Sequence, residues 1–120
     1  MVCRFYFIIS VYSQLLILIL SPFHSICTGG DYGHHMSKAA ANMMAALLSQ
    51  EFKDKHIPVI ILHPGFNKTE MTAKYQEIWE IEGAVDAKTG AMRVFHEIGK
   101  MSMDTTGKFI NCEDGLEIPW

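Results

Sequence analysis

Lys38 stands in a Ser-Lys-Ala-Ala context that suits an active-site lysine, within the stretch "TGGDYGHHMSKAAANMM" (28–44). Four residues earlier, where a proton donor would share its helix face, stands His34. Imidazole can act as a general acid near its ordinary pKa of ~6.5, although a lysine one turn away disfavours the charged form. Tyr32 cannot take that role, because six residues before Lys38 is about 240° around a helix. The adjacent pair His34-His35 points to different sides of a helix, and no two of Cys3, Cys27 and Cys112 are spaced Cys-x-x-Cys. Neither set predicts a metal site, and the odd cysteine count fits a reducing compartment rather than a disulfide framework. The glycines of "TGGDYGHH" (28–35) imitate a phosphate-cradling turn, but His35 replaces the last one. The following strand also ends in His63-Pro64 rather than in an acid that could hold a ribose, so this is a decoy.

The elements that must position these residues follow from the apolar pattern. The 120 residues give room for one domain, and the net charge of −3 offers no basic footprint for nucleic acid. Arg4 is the only charged side chain in residues 1–30. The run "FYFIISVYSQLLILIL" (5–20) has the composition of a secretory h-region, and "LLILIL" (15–20) equally has that of a buried parallel strand. Its length and its polar residues Ser10, Ser13 and Gln14 fall short of a membrane-spanning helix. A Gly/Ser/Pro-bearing loop follows, then a helix over 34–53 with no Gly or Pro. Ten of the thirteen residues from Met36 to Leu48 are apolar, so this helix has one face for a sheet and another for a partner. "HIPVIILHPG" (56–65) predicts a second buried strand, giving a right-handed βαβ unit. Loop and short helix are expected over 66–83, and a second helix over about 86–100. Asp86 is its N-cap, and Met92, Phe95 and Ile98 fall at helical spacing. A third strand, "KFINC" (108–112), precedes an Asp114-Gly115 turn.

Taken in order, these stretches resemble the C-terminal half of a short-chain dehydrogenase/reductase of the C-factor-like branch. "GGDYGHHMSKAAANM" is similar to that branch's Gly-Gly-x-Tyr-x-Tyr-Arg-x-Ser-Lys-x-Ala-x-Asn-Met. "HPGFNKTEM" resembles its Pro-Gly-x-x-x-Thr-x-Met loop, and "GKFINCEDGLEIPW" its Gly-Lys-Phe…Asp-Gly…Ile-Pro-Trp ending. The resemblance covers residues 15–120 and implies a partial Rossmann-like, three-layer α/β fold, the C-terminal βαβ-αβ portion with parallel strands. Residues 1–14 are left as an apolar N-terminal segment.

The resemblance also implies roles. In the family a tyrosine protonates the substrate carbonyl while the nicotinamide of NAD or NADP delivers hydride, and a lysine one turn on lowers the tyrosine pKa and binds the nicotinamide ribose. Lys38 matches the lysine, and His34 occupies the tyrosine position. Ser21, with Ser25 as competitor, matches the serine that orients the carbonyl. Pro64, Gly65, Asn67 and Thr69 match the loop that contacts the nicotinamide. The family's N-terminal phosphate-binding half has no counterpart before residue 15, so the expectation is a truncated, catalytically impaired oxidoreductase for a small carbonyl or alcohol, located in the cytoplasm. The first strand's outer edge would then lie open. Two other readings remain. One is a non-enzymatic subunit that forms a homo- or hetero-oligomer through helix 36–53. The other is a small secretory or membrane-associated protein, held through residues 5–20 and carrying the sequon Asn67-Lys68-Thr69.

Overall fold

A computed structural model of the chain describes residues 7–10, 15–19 and 32–119. Strands β1 (Phe7–Ser10) and β2 (Leu15–Ile19) are followed by helix α1 (Tyr32–Glu51) and strand β3 (Val59–His63). The short strand β4 (Asn67–Lys68), a 3-10 helix (Glu70–Ile78) and strand β5 (Val85–Asp86) lead to helix α2 (Ala87–Gly99) and strand β6 (Phe109–Asn111). Among the described residues no helix is long and apolar enough to cross a membrane.

One sheet has the order β1-β2-β3-β6, with β2, β3 and β6 parallel; β4 and β5 make a separate two-stranded ribbon. All five residues of β3 are buried, because a strand covered on both faces must be apolar at every position. Side chains alternate across it. Val59 and Ile61 join Phe109 of β6 against Ala41 and Ala45 of α1, with Leu48 and Phe52 packed around them. Ile60 and Leu62 join Ile110 and Cys112 against Val94 of α2, with Ile98 and Met101. The helices therefore lie on opposite faces of the sheet. This is the three-layer, Rossmann-like α/β arrangement that the sequence predicts.

Three details differ from expectation. Helix α1 starts at Tyr32 rather than at residue 34. The edge of β2 is not left open: β1 pairs with it antiparallel, Phe7 opposite Leu18 and Ser10 opposite Leu15. A bare strand edge leaves a row of backbone N–H and C=O groups unpaired, and the apolar run doubles back to satisfy them. The sheet face of α2 is also not the one that carries Met92 and Phe95, which are 60% and 71% exposed. Gly90, Val94 and Glu97 are its buried residues. A glycine and a glutamate carry no hydrophobic signal, and of the three residues at helical spacing only Ile98 packs on the sheet side. On the far side of the sheet the tail covers β6, with the Ile118 N–H donating to Phe109 O at 2.7 Å and the Asn111 N–H to Leu116 O at 2.9 Å.

Candidate active site

The orientation of α1 decides whether Lys38 can meet the Pro64–Thr69 loop. The C-terminal part of the helix is fixed at the start of the parallel strands. There Leu48 and Phe52 pack beside Val59, and a Cβ on Gly107 would lie 2.9 Å from Ser49 Oγ. From Ser49 back to Lys38 is about 16 Å of helix at ~1.5 Å per residue, and five residues of β3 span about 16 Å at ~3.3 Å each. Lys38 and His34 therefore sit at the other end of the sheet, where β3 runs out into Pro64. Both are half-buried on one face of the first turns of α1. The Ser37 hydroxyl donates to His34 O at 2.7 Å, and the His34 and His35 rings meet edge-on with centroids 5.6 Å apart.

The loop after β3 is built in layers. Gly65 has φ +82°, a conformation that favours glycine, and a Cβ there would also fall 2.5 Å from Glu113 Cγ. The Asn67 side-chain amide donates to both Pro64 O and Gly65 O at 3.1 Å, and its Oδ1 is buried against Gly90. Asn67 is thus committed to shaping the turn, so a cofactor contact there would fall to its backbone. The same commitment keeps the amide nitrogen that a glycan would need engaged in the turn.

Thr69 opens the 3-10 helix. Its N–H donates to Thr72 Oγ1 at 3.0 Å, and the two hydroxyls lie 3.3 Å apart. Thr72 Oγ1 donates in turn to Asn67 O at 2.6 Å, and Trp79 Nε1 donates to Thr72 O at 3.2 Å. Thr69 itself is exposed. Lys68 pairs with Glu80 and, by this hydrogen bond, holds the Glu80 carboxyl below its usual range.

The structure joins Pro64, Gly65, Asn67 and Thr69 in one loop after β3, and helix and strand lengths put Lys38 and His34 toward the same end of the sheet. Ser21, with its competitor Ser25, lies outside the described residues. The sequence reasoning missed Thr72, Gly90, Arg93 and Glu113. Thr72 was legible, because a hydroxyl residue three positions after Thr69 makes a reciprocal cap. The other three act across the fold and leave no local signal. Arg93 and Glu113 also line an open cavity of about 380 Å³ between α2 and the 112–115 turn, with Met92, His96 and Lys100.

A three-layer α/β sheet with a helical lysine and a Pro-Gly turn at the carboxyl ends of its strands is a Rossmann-like arrangement. No protein-family model matches the chain. It is 32% identical over 92 residues to C-signal of Myxococcus xanthus, a match covering 77% of this chain and 51% of that protein. It is 28% identical over 93 residues to 1-hydroxy-2-glutathionyl-2-methyl-3-butene dehydrogenase of Rhodococcus sp. (strain AD45), covering 78% and 39%. Among solved structures, carbonyl reductase Sniffer of D. melanogaster superposes with a TM-score of 0.73 at 27% identity, over 88% of this chain and 41% of that one. The NADPH-bound carbonyl reductase from chicken fatty liver has the same TM-score at 24% identity, over 88% and 42%, and supports the fold alone. Over most of its described length the chain is thus similar to C-signal and to dehydrogenases and carbonyl reductases of the short-chain dehydrogenase/reductase family. It spans about half the length of C-signal and less of the dehydrogenase.

Proposed function

We propose that the chain carries the nicotinamide-facing side of an NAD(P)-dependent oxidoreductase site for a small carbonyl or alcohol, impaired at the proton-donor position. What supports this reading is the packing of α1 on β3, which by helix and strand lengths puts Lys38 and His34 toward the end where the strand runs out into the Pro64–Gly65–Thr69 loop. The residues present fit the nicotinamide end of a dinucleotide. The Asn67 amide holds the loop backbone in a fixed turn, Thr69 is exposed at its end, and Lys38 is half-buried toward the same end of the sheet. When bound, the dinucleotide supplies the hydride. Lys38 would orient the ribose, the loop backbone would hold the ring, and His34 would have to supply the proton. An imidazole reaches less far from its backbone than a phenol, and a lost general acid slows such a step by ~10²–10⁴.

Fluorescence titration of the full chain with NADPH and NADH tests this reading. Saturable binding is expected, weakened about tenfold by Lys38→Ala or Thr69→Ala, which corresponds to ~1.4 kcal/mol. His34→Tyr should then raise carbonyl reduction by ~10²-fold or more. A folded chain with no saturable binding overturns the proposal.

A second reading, an oligomer formed through α1, has its own observation. Met36, Met43 and Leu47 are 70%, 60% and 65% exposed and share the face of α1 opposite Ala41 and Ala45. This face suits the same helix of a second copy or of a longer relative. Light scattering should find a dimer that Met43→Glu dissociates. A wild type that stays monomeric, alone and with such a relative, removes this reading.

A further inference from the structure

We propose that Glu113 is a positioning residue for the Pro64–Gly65 turn, with Arg93 of α2 as its counter-ion; this rests on the reading of that turn as nicotinamide-facing. Past the end of β6, the Cys112 N–H donates to His63 O at 2.8 Å, which ties the C-terminal loop to the last residue of β3. The chain then turns, with the Glu113 N–H donating to Asn111 Oδ1 at 3.1 Å. That turn sends the Glu113 side chain back beneath the Pro-Gly loop. Its Cγ and Cδ fill the space a Gly65 side chain would need, at 2.5 and 2.7 Å from an ideal Cβ. Its Oε1 accepts a long hydrogen bond from the Phe66 N–H, 3.4 Å, and lies 3.6 Å from Arg93 Nη1. One carboxylate thus links three separate pieces of chain: the Pro-Gly turn, α2 and the C-terminal loop.

Magnitudes separate positioning from mere support. Both charged side chains are about one-third exposed, 32% for Arg93 and 37% for Glu113. Ion pairs of that kind contribute little to stability, so removing the carboxylate should leave the fold intact. Its contact is instead with the backbone that would hold the nicotinamide, where a shift of about 1 Å can change function by ~10²-fold. The carboxylate also explains why residue 65 must be glycine beyond its φ: a larger residue would displace Glu113 as well as strain the turn.

The test compares wild type, Glu113→Gln and Glu113→Ala for amide hydrogen exchange and for NADPH and NADH binding. In Glu113→Ala the Phe66 amide should exchange about tenfold faster, the loss expected for one hydrogen bond, while the Cys112 amide is unchanged. Dinucleotide affinity should fall by a similar factor. Glu113→Gln keeps an acceptor oxygen and should restore both. Unchanged Phe66 exchange in Glu113→Ala overturns the contact. Faster exchange with unchanged affinity overturns the positioning role. If wild type binds no dinucleotide, the oxidoreductase reading fails separately, and Phe66 exchange still decides whether Glu113 sets the turn.

Discussion

Gly90→Ala should destabilise this protein, although it places a better helix former inside α2. Propensity alone favours alanine over glycine by about 1 kcal/mol in a helix interior. The new Cβ, however, would stand 1.9 Å from Asn67 Oδ1 and 2.6 Å from its Cγ. Overpacking of this kind costs ~1–3 kcal/mol. Asn67 can retreat only by releasing its bonds to Pro64 O and Gly65 O, two hydrogen bonds worth ~0.5–1.5 kcal/mol each. By either route about 1–3 kcal/mol is lost against about 1 gained, so the net expectation is a loss of up to ~2 kcal/mol. The sign depends on Asn67. In an Asn67→Ala background the obstacle is gone, and Gly90→Ala should become stabilising by up to ~1 kcal/mol. The coupling energy in a double-mutant cycle should then be ~1–3 kcal/mol. Urea denaturation of the four proteins with a constant m-value measures it. If Gly90→Ala has the same effect in both backgrounds, or stabilises the wild type, the packing argument is refuted.

Three further outcomes are expected. Phe109→Ala should cost ~3–5 kcal/mol, because the ring is 1% exposed in the α1-side core, whereas Phe95→Ala on the outer face of α2 should change stability by less than ~0.5 kcal/mol; urea melts distinguish them. Asp86 accepts from Thr89 N–H at 3.0 Å and from its hydroxyl at 2.7 Å, which holds its carboxyl below the usual range. This stabilisation is present above the unfolded pKa of ~3.9 and is lost as the pH falls through the lower folded value, so the advantage of wild type over Asp86→Asn should disappear in an acid titration followed by circular dichroism. Burial, with Glu97 and Glu113 nearby, pushes the Cys112 thiol up to about 12. Native Cys112 should therefore resist alkylation at pH 8 and react on unfolding. Because its folded pKa is raised, stability should decline as the pH climbs above ~8.5 toward about 12, a slope that Cys112→Ala removes.

What the sequence disclosed was whatever is encoded locally. Val59–Leu62 reads as a strand buried on both faces because nothing polar interrupts it. Asp86 reads as a cap because a cap bonds only three residues ahead. Lys38 and His34 share a face by helical spacing, and Pro64-Gly65 ends a strand by its own backbone chemistry. Where the deciding contact is distant, the signal vanishes. Glu113 meets Phe66 across 47 residues, and nothing around either announces the other. The inner face of α2 was hidden for a different reason. Gly90 is buried because Asn67 occupies its space, and Glu97 because Lys100 meets its carboxylate at 2.7 Å. Residues 5–20 were ambiguous because an h-region and a strand share one composition. Only the pairing with β2 places Phe7–Ser10 in the sheet.

That pairing also decides from which side β1 enters the sheet. Because β1 runs against its neighbours, its first residue Phe7 is level with Leu18, next to the last residue of β2, and hence with Ile61 at the middle of β3. Strands are ~4.8 Å apart, so the backbone enters the sheet about 10 Å from β3, on the side of Lys38 and the Pro-Gly turn. The tail runs the other way along β6, from Leu116 beside Asn111 to Ile118 beside Phe109, toward the opposite rim. A backbone probe at Phe7 would therefore report on the side of the sheet that leads to the Pro-Gly turn, whereas one at Ile118 would report on the opposite rim.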